Sequence, residues 1–153
     1  MELQRAYYAS STAAFLASSD EAVLGALTGA SEFTVDLNQR NAWLEQLRLL
    51  RQVMPRLAAG NLLLEFVVPR LGKRIDAVLI CDGIVFVIEF KVGETVFHAS
   101  ALDQVWDYAL DLKHFHSTSE LAWIAPLLVA TDGAIGIGLE RHAEVDRKST
   151  RLN

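Results

Sequence analysis

The chain has a single cysteine, Cys81, among 153 residues. An internal disulfide and a zinc site built from several thiolates are both excluded. Long apolar runs are missing too: the longest reach about eight residues, far short of the ~20 that cross a bilayer. The N-terminal MELQRAYYASS carries an early acid and no extended apolar stretch, so it does not read as a secretory signal. There is no internal repeat, no low-complexity segment and no G-x-x-x-x-G-K-[ST] phosphate loop; GAIGIG, from Gly133 to Gly138, is glycine-rich but lacks the lysine. Charged residues make up 22% and hydrophobic ones 52%, which excludes a largely disordered chain. At this length a core forms without staples. A cytoplasmic globular protein with no membrane partner is the expectation.

Net charge is -5, but it is unevenly spread. Between Gln39 and Arg74 stand the bases Arg40, Arg48, Arg51, Arg56, Arg70, Lys73 and Arg74, against only Glu45 and Glu65. A basic stretch on an otherwise acidic chain suits a phosphate-bearing partner, and equally suits a solvated helix face.

Periodicity divides the chain. Residues 1–38 read as a helical extension: Ser10, Ser11 and Thr12 can cap a run through Phe15 and Leu16, and Asp20 can cap a second that closes at Gly29. Asn38 to Met54 has Ala42, Trp43, Leu47, Leu50 and Met54 at helical spacing, ended near Pro55. The period then shortens. Leu62–Pro69, Arg74–Cys81 and Ile84–Val92 are β-rich, and Asp82-Gly83 between the last two is a strong hairpin signal. Helical spacing returns from His98 to Phe115, with Leu102, Val105, Ala109 and Leu112 on one face, and Leu121–Thr131 is a last strand containing Pro126. The class is α/β.

A two-residue turn at Asp82-Gly83 sets facing positions whose numbers add to 165, so Cys81 faces Ile84 and Val78 faces Val87. Asp76 then faces Glu89, and Arg74 faces Lys91. Two carboxylates at cross-strand distance repel. Either Arg74 and Lys91 neutralise them as a ladder, or a hard divalent cation such as Mg2+ or Mn2+ lies between them.

Asp76, followed on the next strand by Glu89-Phe90-Lys91, resembles the D…(D/E)xK core of the PD-(D/E)XK nuclease superfamily. That superfamily shares an α-β-β-β-α-β core, a restriction-endonuclease-like mixed sheet flanked by helices, which is the order expected for residues 39–145. Glu45 on the preceding helix takes the place of the family's first acid, with Glu65 as its rival. Gln104-x-x-x-Tyr108 resembles the QxxxY element of its exonuclease branch. More narrowly, the run from RAYY through LLVAT is similar to the N-terminal domain of Schlafen-group-3-like DNA/RNA helicases. The resemblance implies Mg2+- or Mn2+-dependent phosphodiester hydrolysis of DNA or RNA. It implies Asp76, Glu89 and the Phe90 carbonyl as metal ligands and Lys91 beside the attacked phosphate. Glu45, a further catalytic residue, would hold a metal-bound water or help a second cation, and Gln104 and Tyr108 would position the site or the nucleic-acid backbone. It also implies an ATP-dependent motor following the domain in a longer parent. DRKSTRLN, Asp146–Asn153, reads as translated sequencing adapter, which makes residues 146–153 a non-native tail and Val145 the last native residue. A catalytically silent nuclease fold that binds nucleic acid or a protein is the alternative.

Other residues read as structural: Cys81 as a small core side chain, Trp43, Trp106 and Trp123 as packing groups, and His114 with His116 as a surface pair.

Overall fold

The computed structural model describes residues 5–68, 72–115 and 123–133. The elements run β1 (Ala6–Ser11), α1 (Thr12–Ala17), α2 (Asp20–Ala30), α3 (Leu37–Val53), a 3-10 turn (Met54–Arg56), β2 (Gly60–Val68), β3 (Lys73–Cys81), β4 (Ile84–Lys91), α4 (Ala99–Phe115) and β5 (Trp123–Ala130). The five strands form one mixed sheet in the order β1-β2-β3-β4-β5. The first four are antiparallel neighbours, and β5 returns parallel to β4 after α4. A parallel return needs such a crossover element.

Each helix begins where local chemistry supplies an acceptor. The Ser11 hydroxyl accepts from the Ala14 amide, Ser19 from Ala22, and the Asp36 carboxylate from Gln39, which satisfies amides that helix geometry leaves unpaired. Asp20 is thus the first residue of α2 and its cap is Ser19. At the hairpin both Asp82 (φ 51°) and Gly83 (φ 73°) are left-handed. That is the twist a two-residue turn between antiparallel strands requires.

The sheet separates two apolar layers. On one face Phe15, Val23, Leu24 and Leu27 from α1 and α2, and Trp43, Leu47 and Leu50 from α3, pack on Leu62, Leu64, Ala77, Leu79 and Ile88. On the other, Val105, Tyr108, Ala109 and Leu112 of α4 pack on Phe66, Val68, Ile75, Val78 and Val87. Cys81 is buried with the first layer. Arg51 ties α3 to the N-terminal helices, donating to Asp20, to the Phe15 and Ser18 carbonyls, and lying 4.5 Å over the Phe15 ring.

Three expectations are corrected. The segment 1–38 is not wholly helical, because Ala6–Ser11 pairs with β2 as the fifth strand. Its Tyr7 and Tyr8 suit a half-buried strand, and the capping serines belong only to the helix that follows. The ladder of Arg74 and Lys91 around the two acids does not form: Arg74 donates to Glu65 and Lys91 to Gln104. Trp123 is no packing residue, being 77% exposed at the start of β5. His116, the Gly133–Gly138 run beyond Gly133 and residues 146–153 lie outside the described residues.

Side-chain alternation breaks along one row. On β2, Leu62 and Leu64 face the α1–α3 layer, whereas Phe66 and Val68 face α4. On β3, Ala77 and Leu79 face the first layer and Ile75 the second. A regular strand keeps residues two apart on one face. The pairs Leu64↔Ala77 and Phe66↔Ile75 show that no residue is inserted. Both strands therefore change face at the same row, Glu65 beside Asp76, and Glu65 carries the cost as a left-handed residue, φ 51°, inside a strand.

Candidate active site

Asp76 and Glu89 meet where the β3–β4 ladder gives way. The register is the expected one as far as Ala77↔Ile88. Beyond it, side chains replace backbone partners: the Phe90 amide donates to Asp76 Oδ2 at 2.8 Å, and the Asp76 amide donates to Glu89 Oε1 at 3.3 Å. The two carboxyl groups thus cross-brace the strand pair. Glu89 is only 4% exposed.

Burial and proximity tune both acids the same way. Asp76 is pushed up to about 6, chiefly by desolvation; the Phe90 amide opposes this, Glu65 adds to it, and Lys91 opposes it. Glu89 is pushed up to about 8, by desolvation first and then by the Asp76 charge. Like charges sharing a desolvated site resist joint ionisation. Near neutral pH the pair holds one proton between its members, and they titrate as a unit.

A polar chain runs from Lys91, two residues beyond Glu89, to α4. Lys91 Nζ donates to Gln104 Oε1 at 3.0 Å, and Gln104 Nε2 donates to the Tyr108 hydroxyl at 2.9 Å. Gln104 and Tyr108 are one helical turn apart, so they share a face of α4. Tyr108 is buried, and desolvation raises its phenol pKa. Beside them Lys73, Ser100, Asp103 and Asp107 line an open cleft of about 360 Å³.

Of the residues anticipated from sequence, Asp76, Glu89, Lys91, Gln104 and Tyr108 come together around β3, β4 and α4. Glu45 does not join them. It forms a two-point pair with Arg48, at 2.6 and 2.9 Å on α3, and that hydrogen bond lowers its pKa. The acid beside Asp76 is its rival, Glu65, 5% exposed, which accepts from Trp43 Nε1 at 2.9 Å and from Arg74 Nε at 2.8 Å. A lone acid inside LLLEFVV was the available signal, but its row depends on the β2–β3 register, which no short-turn dipeptide in the sequence fixes. Lys73, which lines the cleft, was legible only as one of the bases between Gln39 and Arg74.

The donor set fits a hard divalent cation. Among the described residues no group of three His, Cys, Asp or Glu side chains has metal-holding geometry, but Mg2+ is commonly held by one or two carboxylates with water and substrate oxygens completing its shell. Two facing carboxylates that resist joint ionisation meet that need.

Comparison of the chain with family models, curated proteins and solved structures finds no match. Among the described residues no helix is long and apolar enough to cross a membrane.

Proposed function

We propose that this chain is a divalent-metal-dependent nuclease domain of PD-(D/E)XK type that hydrolyses phosphodiester bonds in DNA or RNA. The observation that carries the reading is the Asp76–Glu89 pair, two carboxylates braced against each other on adjacent strands beside a lysine. Asp76, Glu89 and the Phe90 carbonyl are the residues that would hold Mg2+ or Mn2+, which supplies Lewis acidity and a water nucleophile at neutral pH.

The chain's own groups do the rest. The Phe90 amide holds Asp76 Oδ2 and so fixes the orientation of that carboxylate. Gln104 holds the Lys91 ammonium from the α4 side, which stations a positive charge where negative charge develops on an attacked phosphate. Tyr108 anchors Gln104 in turn. Glu45, engaged by Arg48, has no part in this arrangement.

The test is cleavage of labelled single- and double-stranded DNA and RNA with Mg2+ or Mn2+, with and without EDTA. Metal-dependent cleavage abolished by Asp76→Asn is expected. Cleavage indifferent to EDTA, or retained in full by that variant, would overturn the reading.

A further inference from the structure

The row at which β2 and β3 change face contains Glu65, a buried carboxylate with both oxygens engaged: Oε1 by Trp43 of α3 and Oε2 by Arg74 of β3. Arg74 is itself stacked 5.1 Å from the Tyr7 ring of β1. An acid so occupied is poorly placed to be a ligand, and nothing about it serves ordinary strand packing. Its left-handed backbone is costly for a residue with a side chain and persists only where the surroundings enforce it. Two hydrogen bonds, one of them an ion pair, provide that enforcement.

The consequence falls on Asp76. A regular β3 would keep Ile75 with Ala77 on one face and send the Asp76 amide and carbonyl into the ladder. Instead the face exchange at Glu65 is matched at Asp76, whose amide turns to Glu89 Oε1 and whose carboxylate receives the Phe90 amide. We propose that Glu65, clamped between Trp43 and Arg74, is a positioning residue that holds β2 in its face exchange and so turns Asp76 toward Glu89. The assignment rests on the proposed metal-dependent site, for which Asp76 is the ligand being positioned. Partners that orient a ligand without touching the metal commonly change affinity 10- to 100-fold when removed.

Two variants test it: Glu65→Gln, which keeps the shape and loses the ion pair, and Trp43→Phe, which removes the other donor. The first measurement is amide hydrogen exchange without metal. In both variants the Phe90 amide is expected to exchange about tenfold faster, as for loss of one hydrogen bond, while Val87 on the same strand keeps its protection. The second is Mn2+ titration by calorimetry, where Kd is expected to rise 10- to 100-fold. Unchanged Phe90 exchange, or equal loss of protection at Phe90 and Val87, would overturn the positioning role. The two readings fail separately. If the wild type binds no Mn2+ while Phe90 exchange still responds, the nuclease reading falls and the clamp on Asp76 stands. If wild type and variants bind Mn2+ equally, the clamp falls and the nuclease reading stands.

Discussion

Without metal, the native protein should lose stability as pH rises from 6 to 8, and Glu89→Gln should remove that loss. In the unfolded chain both acids ionise near the ordinary carboxylate value of about 4. In the native state Asp76 stands at about 6 and Glu89 at about 8. A raised carboxyl pKa means that the native state binds the proton more tightly. Its stabilising share is full below about pH 4 and is lost as pH climbs through the native values. Between pH 6 and 8 the unfolded chain holds no proton on these groups, whereas the native pair holds about one. The slope is then up to about 1.4 kcal/mol per pH unit, roughly 3 kcal/mol over the interval. Urea denaturation in EDTA at half-unit steps measures it. Every other titratable group is common to both proteins, so the difference curve isolates the pair. Glu89→Gln keeps the size of the side chain and removes its charge; it should flatten the curve and exceed wild-type stability at pH 8. Equal wild-type stability at both pH values, or a variant with the wild-type slope, would refute the account of a shared, desolvated proton.

Other outcomes follow from single contacts. Lys91→Ala should leave Mn2+ affinity within a few-fold, since an ammonium has no lone pair to offer a cation, while the cleavage rate falls by about 10²-fold or more. Gly60→Ala should lower the urea midpoint, because a Cβ there meets the Ile80 carbonyl and the Cys81 side chain; overpacking of this kind costs about 1–3 kcal/mol. Arg51→Ala should cost roughly 1.5–3 kcal/mol by removing its charged hydrogen bonds to Asp20 and to the Phe15 and Ser18 carbonyls, and a melting curve would report it.

The sequence made the hairpin and its consequences legible because Asp82-Gly83 admits essentially one turn geometry, and that turn fixes every facing pair as far as Ala77↔Ile88. The helices α3 and α4 were legible from their apolar spacing, and a last strand after α4 was legible too, though not its parallel pairing with β4. Ala6–Ser11 was hidden: six residues ending in two serines read more naturally as a helix cap than as an edge strand. The partnership of Arg74 with Glu65 was hidden for a deeper reason. Alternation predicts faces only while a strand stays regular, and nothing in LLLEFVV announces that a glutamate adopts φ 51°. The expected ladder of Arg74 and Lys91 around the two acids assumed that regularity. Once the strands change face at Glu65, Arg74 turns to Glu65 and Tyr7, and Lys91 turns to Gln104. Asp76 and Glu89 are left braced by each other's strand amides, with Lys91 and Arg74 hydrogen-bonded elsewhere.

Whether that pair takes a divalent cation is measured most directly by calorimetric titration of Mn2+ at pH 7 in two buffers of different ionisation enthalpy. Binding at a single site, with release of about one proton from the Asp76–Glu89 pair and complete loss of binding in Asp76→Asn, is the predicted result. Absence of binding heat in both buffers, or an Asp76→Asn variant that binds as the wild type does, would contradict it.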